Sequence, residues 1–125
     1  MKLPNISDAE REVMKVIWPN TPCSSAQVIA ALARSKSWSM GTIKTLLNRL
    51  HSKGALRFEK VGKSYLYYPT VTEEQLRSAE TKSFVDRVFD GEFSPMLAHF
   101  ARSRKLSERD LKELEQILKE GRAKP

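Results

Sequence analysis

In the stretch WSMGTIKTLLNRL (38–50), Thr42, Lys44, Thr45, Asn48 and Arg49 alternate with Ile43, Leu46, Leu47 and Leu50. The apolar residues sit at i, i+3, i+4 and i+7, the spacing of a helix buried along one stripe. The other side carries cations, hydroxyls, an amide and methyl groups, and no acid. Those groups suit base edges in a DNA major groove, which present donors, acceptors and the thymine methyl. The N-terminal part of a helix in the groove usually reaches the bases, so Gly41, Thr42, Lys44 and Thr45 are the leading base-reading candidates. Gly41 has no side chain and would let the helix start approach closely. Asn48 and Arg49 could serve bases or phosphates. Lys53, Lys60 and Lys63 are candidates for backbone phosphates, which position a protein without specifying sequence.

Other chemistry finds little support. Cys23 is the single cysteine, so it forms neither an internal disulfide nor a thiolate cluster, and no base beside it marks it as a nucleophile. His51 and His99 are far apart and lack a matched acid or Cys cluster, so no metal site is expected. There is no Ser/His/Asp set, phosphate loop or cofactor motif, so an enzyme is not expected, and neither is a cofactor. No run of eighteen or more apolar residues occurs, and the opening MKLPNISDAE turns acidic early. Membrane insertion and a secretory leader are therefore not expected, and the chain reads as cytoplasmic.

The elements that must hold the 38–50 helix are visible on both sides of it. SDAEREVMKVIW opens with Ser7 and Glu10 at capping-box spacing, and Pro19 ends its helix; SSAQVIAALARS repeats the device with Ser24 and Gln27. Ser39 is the expected N-cap of the third helix, with Gly54 as its stop. ALRFEKVGKSYLYYPTV then alternates about Gly62, which predicts a β-hairpin with Lys60 and Lys63 at its tip. Tyr65, Tyr67 and Tyr68 read as packing groups before base-stacking ones. Three helices and a basic hairpin make a winged helix-turn-helix, expected over 1–71.

Residues 72–125 read as helical throughout, with Thr72 and Gln75, Ser94 before Pro95, and Ser107 and Asp110 as start signals. The fold expected is therefore mainly α with a small β-hairpin. Charge follows the same division. Residues 1–72 hold 11 Lys and Arg against 4 Asp and Glu, whereas 73–125 hold 11 of each. Between Arg34 and Lys63 the only acid is Glu59. A basic half beside a balanced half suggests a polyanion-binding module and a partner module. Phe84, Val88, Phe93, Leu97, Leu111, Leu114, Ile117 and Leu118 exceed what short helices bury alone, so the second half is expected to pair with a second copy. A homodimer would read a near-palindromic double-stranded operator. A winged-helix protein-interaction or non-specific architectural module is the alternative, marked by salt-sensitive binding without sequence preference.

In these stretches the chain resembles the penicillinase-repressor family of bacterial winged-helix repressors (BlaI/MecI/CopY). The resemblance rests on ISDAEREVMKVIW, WSMGTIKTLLNRLHSKGAL, SYLYYPTV, VFDGEFSPMLAHF and LSERDLKELEQIL, and it spans nearly the whole chain. It implies a homodimeric repressor with N-terminal DNA-binding and C-terminal dimerisation domains. It also implies, for the β-lactam-responsive branch, inactivation through a membrane sensor-protease pathway that cuts between Asn and Phe. This chain has His99-Phe100 there, a departure at the first position. The copper-responsive branch carries C-terminal cysteines, and none follows Cys23 here.

Overall fold

The structure is a computed structural model and describes residues 3–123. Its elements run α1 (Asp8–Ile17), a 3-10 turn (Trp18–Asn20), β1 (Cys23–Ser24), α2 (Ser25–Lys36), α3 (Met40–Ser52), β2 (Leu56–Val61), β3 (Ser64–Pro69), α4 (Glu73–Val88), α5 (Phe93–Arg102) and α6 (Glu108–Ala123). Chain contacts divide it into two compact units, Met1–Ala79 and Glu80–Pro125. Leu76, in the first turn of α4, belongs to the core of the first unit.

Local signals set the helix starts. Ser7 accepts from the Glu10 N–H while the Glu10 carboxylate accepts from the Ser7 N–H, and Ser24 with Gln27 repeats this reciprocal cap. Thr72 with Gln75 and Ser107 with Asp110 do the same for α4 and α6. Helix α5 departs from expectation. It starts at Phe93 with Glu92 as a cap that makes no side-chain bond, so Ser94 is inside the helix and Pro95 is its third residue. Pro is tolerated there because first-turn N–H groups have no intrahelical acceptor to lose.

The core of the first unit is apolar side chains from three helices and the sheet. Val13, Met14 and Ile17 of α1, Val28 and Leu32 of α2, and Ile43, Leu46, Leu47 and Leu50 of α3 meet Leu56, Tyr67 and Val71. The sheet has three antiparallel strands in the order β1-β3-β2. The hairpin was legible, but the third strand was not: Cys23 and Ser24, the latter read only as the cap of α2, pair with Tyr67 and Leu66. Two residues leave no period-2 pattern to read. The hairpin closes through Gly62 and Lys63, since Val61 pairs with Ser64. Gly62 has φ +63°, the left-handed backbone that tight hairpin turns require and that Gly adopts without a Cβ penalty.

In the second unit, Val85 is buried, and Phe84, Phe89, His99 and Phe100 form a chain of ring contacts with centroids 5.8–6.1 Å apart. Phe84, Val88, Phe93, Leu97, Leu111, Ile117 and Leu118 stay 37–59% exposed, and Leu114 is half-buried.

Candidate nucleic-acid interface

Helix α3 is anchored on one side and open on the other. Ile43, Leu46, Leu47 and Leu50 are at most 5% exposed. Gly41, Thr42, Lys44, Thr45, Asn48 and Arg49 are all exposed. At its N-terminus, Ser39 Oγ accepts from the Thr42 N–H at 3.1 Å and donates to Thr42 Oγ1 at 3.0 Å. Thr45 donates its hydroxyl to the Gly41 carbonyl at 2.9 Å, so its oxygen is left to act as an acceptor. A Cβ built on Gly41 would meet only Ser39 Oγ, at 3.9 Å, so nothing within the fold demands Gly there.

The wing lies beside this helix, and its two faces differ. Phe58 pairs with Tyr67 and Lys60 with Tyr65 across the hairpin, so these four share one face. That face meets α3: the Phe58 ring is 4.7 Å from His51 and 5.2 Å from Tyr65. Tyr67 is buried and Tyr65 exposed. Between α3, the start of α2 and the wing is a cleft of about 370 Å³, lined by Ser25, Lys44, Leu47, Asn48, Phe58, Lys63, Tyr65 and Tyr67. The lining holds two cations and no acid. The opposite face carries Arg57, Glu59 and Tyr68. Glu59 accepts from Tyr68 Oη at 3.2 Å and Arg57 at 3.3 Å, and Arg57 stacks over the Tyr68 ring at 4.1 Å. The one acid of the basic stretch is thus neutralised on the face away from α3.

The expected cations separate into two kinds. Lys44, Arg49, Lys60 and Lys63 make no ion pair or side-chain hydrogen bond among the described residues. Lys53 is different. Expected to reach a phosphate, its ammonium instead donates to Glu10 Oε1 at 2.5 Å and to the Asn5 carbonyl at 2.8 Å. Glu10 is 1% exposed, and its Oε2 is buried without a hydrogen-bond partner among the described residues. Burial acts to raise the Glu10 pKa. Hydrogen bonds from Lys53 and Ser7 outweigh it and hold the carboxyl below its ordinary 4.5. The capping-box spacing revealed the Ser7 bond, but no local pattern revealed the Lys53 bond.

Ser25, Phe58 and Tyr65 join the site without having been singled out for it. For Phe58 and Tyr65 the one sequence signal was the aromatic alternation of the wing, and Ser25 carried none. Burial pushes the Cys23 thiol pKa up, as befits a packed, unreactive side chain.

The sequence profile described as "Penicillinase repressor" matches residues 6–120. The chain belongs to the penicillinase repressor family. It is 40% identical over 119 residues to the penicillinase repressor of Bacillus licheniformis, covering 95% of this chain and 93% of that one. It is 35% identical over 113 residues to the methicillin resistance regulatory protein MecI of Staphylococcus aureus (strain N315), covering 90% and 92%. A solution structure of the Bacillus licheniformis BlaI monomeric form in complex with the blaP half-operator is also similar. It is 46% identical, has a TM-score of 0.53, and covers 59% of this chain and 90% of that one. The winged-helix reading of the first unit accords with that structure.

Proposed function

We propose that the protein is a sequence-specific DNA-binding transcriptional repressor, acting as a homodimer on a near-palindromic double-stranded operator. One observation carries the reading. Helix α3 is seated by four buried apolar residues, and its open face presents hydroxyls, an amide and cations that have no ion pair among the described residues, with no acid. Such a face repels no phosphate and offers the groups that base edges require. Thr42, Lys44 and Thr45 read bases, Asn48 and Arg49 read bases or phosphates, and Lys60 and Lys63 hold phosphates. The half-operator complex of the related BlaI supports duplex DNA as the partner.

Residues 72–125 supply the dimer contacts. The exposed Phe84, Val88, Phe93, Leu97, Leu111, Ile117 and Leu118 form apolar surface that a second copy would cover. Two copies then present two recognition helices to half-sites about one helical turn or more apart. The protein works in the cytoplasm, and among the described residues no helix is long and apolar enough to cross a membrane. Inactivation through a sensor-protease pathway, cutting at His99-Phe100, belongs to the same reading. Both residues lie inside α5, so cleavage there must first unwind that helix.

The test is fluorescence anisotropy with the DNA upstream of the protein's own gene and a scrambled duplex, at near-physiological salt. Binding to the upstream DNA at least about a thousandfold tighter than to the scramble is the expected result. Equal, salt-sensitive binding to both, and no preferred sequence in a random duplex library, would leave a non-specific architectural protein.

A further inference from the structure

The Glu10–Lys53 pair has features that stability alone does not explain. Glu10 is in the first turn of α1, and Lys53 caps the C-terminus of α3. The carboxylate is 1% exposed, one oxygen has no partner among the described residues, and the other is bound by a lysine 43 residues away and by the Ser7 N–H at 2.8 Å. The same ammonium also holds the Asn5 carbonyl, so one side chain ties the segment before α1, α1 itself and the end of α3. A buried ion pair usually contributes no more stability than apolar residues of the same volume. It does differ from them in direction: apolar contacts permit sliding, whereas a short charged hydrogen bond allows one distance and one angle.

We infer that Glu10 and Lys53 are positioning residues for DNA reading, a strut that sets the tilt of α3 on α1. The inference rests on the reading of α3 as the recognition helix. The lever is long. Thr42 and Lys53 are eleven residues apart, about 16 Å along the helix axis, so a tilt of about 4° at the Lys53 end moves Thr42 by about 1 Å. That displacement carries a base contact from about 2.9 Å to beyond useful hydrogen-bond range. The strut touches no DNA, yet discrimination between sequences depends on it. Phosphate contacts, made by long flexible lysines, tolerate the same shift.

The experiment separates positioning from phosphate contact and from plain stability. Glu10→Leu/Lys53→Met removes the pair without leaving either charge buried alone. Lys53→Arg is the second variant, which keeps a cation but changes the strut's length and geometry. Thermal unfolding first establishes that each variant is folded. Anisotropy then compares a duplex selected by the wild-type protein from a random-sequence library with its scrambled counterpart, across a salt series. The expected result is a fall of about 5- to 150-fold in the affinity ratio, the size of one good base contact, with an unchanged salt slope. An undiminished ratio in a folded variant overturns the inference. So does a salt slope reduced by about 0.9 per chain in the double variant, which would make Lys53 a phosphate ligand. Failure of the wild type to select any sequence would instead overturn the repressor reading, and the strut with it.

Discussion

The wing lysines give the sharpest numerical prediction. Lys60 and Lys63 are exposed and have no ion pair among the described residues, so changing both to Ala breaks no described interaction. Surface changes of this kind usually stay within about 0.5 kcal/mol of neutral, so the unfolding midpoint should hardly move. Binding should change substantially and in a defined way. Each phosphate contact contributes about 0.9 to the slope of log K against log salt. Two lysines in each of two chains make four contacts, so the slope of the dimer should flatten by about 3.6. Relative to a 1 M reference, that amounts to about a thousandfold loss of affinity at about 0.15 M salt, shrinking to nearly nothing as 1 M is approached. Operator and scrambled duplex should lose affinity by the same factor, because phosphates carry no sequence. The assay is anisotropy titration at four or more salt concentrations with both duplexes. An unchanged slope would refute the placement of the wing on the DNA backbone. A loss that persists undiminished toward 1 M salt would show that the effect comes from the fold.

Three further outcomes are expected. Lys44→Ala and Thr45→Ala should each cost about 1–3 kcal/mol on the preferred operator and much less on scrambled DNA, read as a reduced affinity ratio. Gly41→Ala should stabilise the unit by roughly 0.5–1 kcal/mol, because the fold has room for a methyl group. The same variant should bind operator more weakly, since its methyl points at the groove; equal binding would remove Gly41 from the interface. The Glu10 carboxyl titrates below its ordinary 4.5 when folded. Its contribution to stability is therefore complete above that value and is lost as pH falls through the folded pKa. Urea midpoints between about pH 6 and pH 3 should fall more steeply for wild type than for Glu10→Gln, and parallel curves would contradict the assigned ion pair.

Leu114→Glu tests the second unit. Placing a charge in the apolar stripe of α6 should give monomers in sedimentation and weaken operator binding. A retained dimer would move the interface elsewhere.

Much of this architecture could be read from the chain because its signals are local. Ser7 with Glu10, Ser24 with Gln27 and Ser39 before Met40 start helices through bonds three residues long. Ile43, Leu46, Leu47 and Leu50 announced the buried side of α3 by spacing alone, and the residue types between them announced its acid-free opposite side. Gly62 marked the wing turn for the same reason. The start of α5 was misplaced because Ser94-Pro95 fits a helix start at more than one register.

Tertiary structure decided the matters that depend on partners distant in sequence. Phe58 and Lys60 face α3 while Glu59 turns away, which follows from hairpin register and from where the hairpin docks. Cys23 and Ser24 became a strand because β3 offered an unpaired edge. Lys53 and Lys63 are the same residue type in the same basic stretch, and composition cannot distinguish them. Folding brings Lys53 to a buried carboxylate 43 residues away and leaves Lys63 in solvent. A buried charge must find an opposite charge wherever the chain can supply one, and that search is settled only when the core closes.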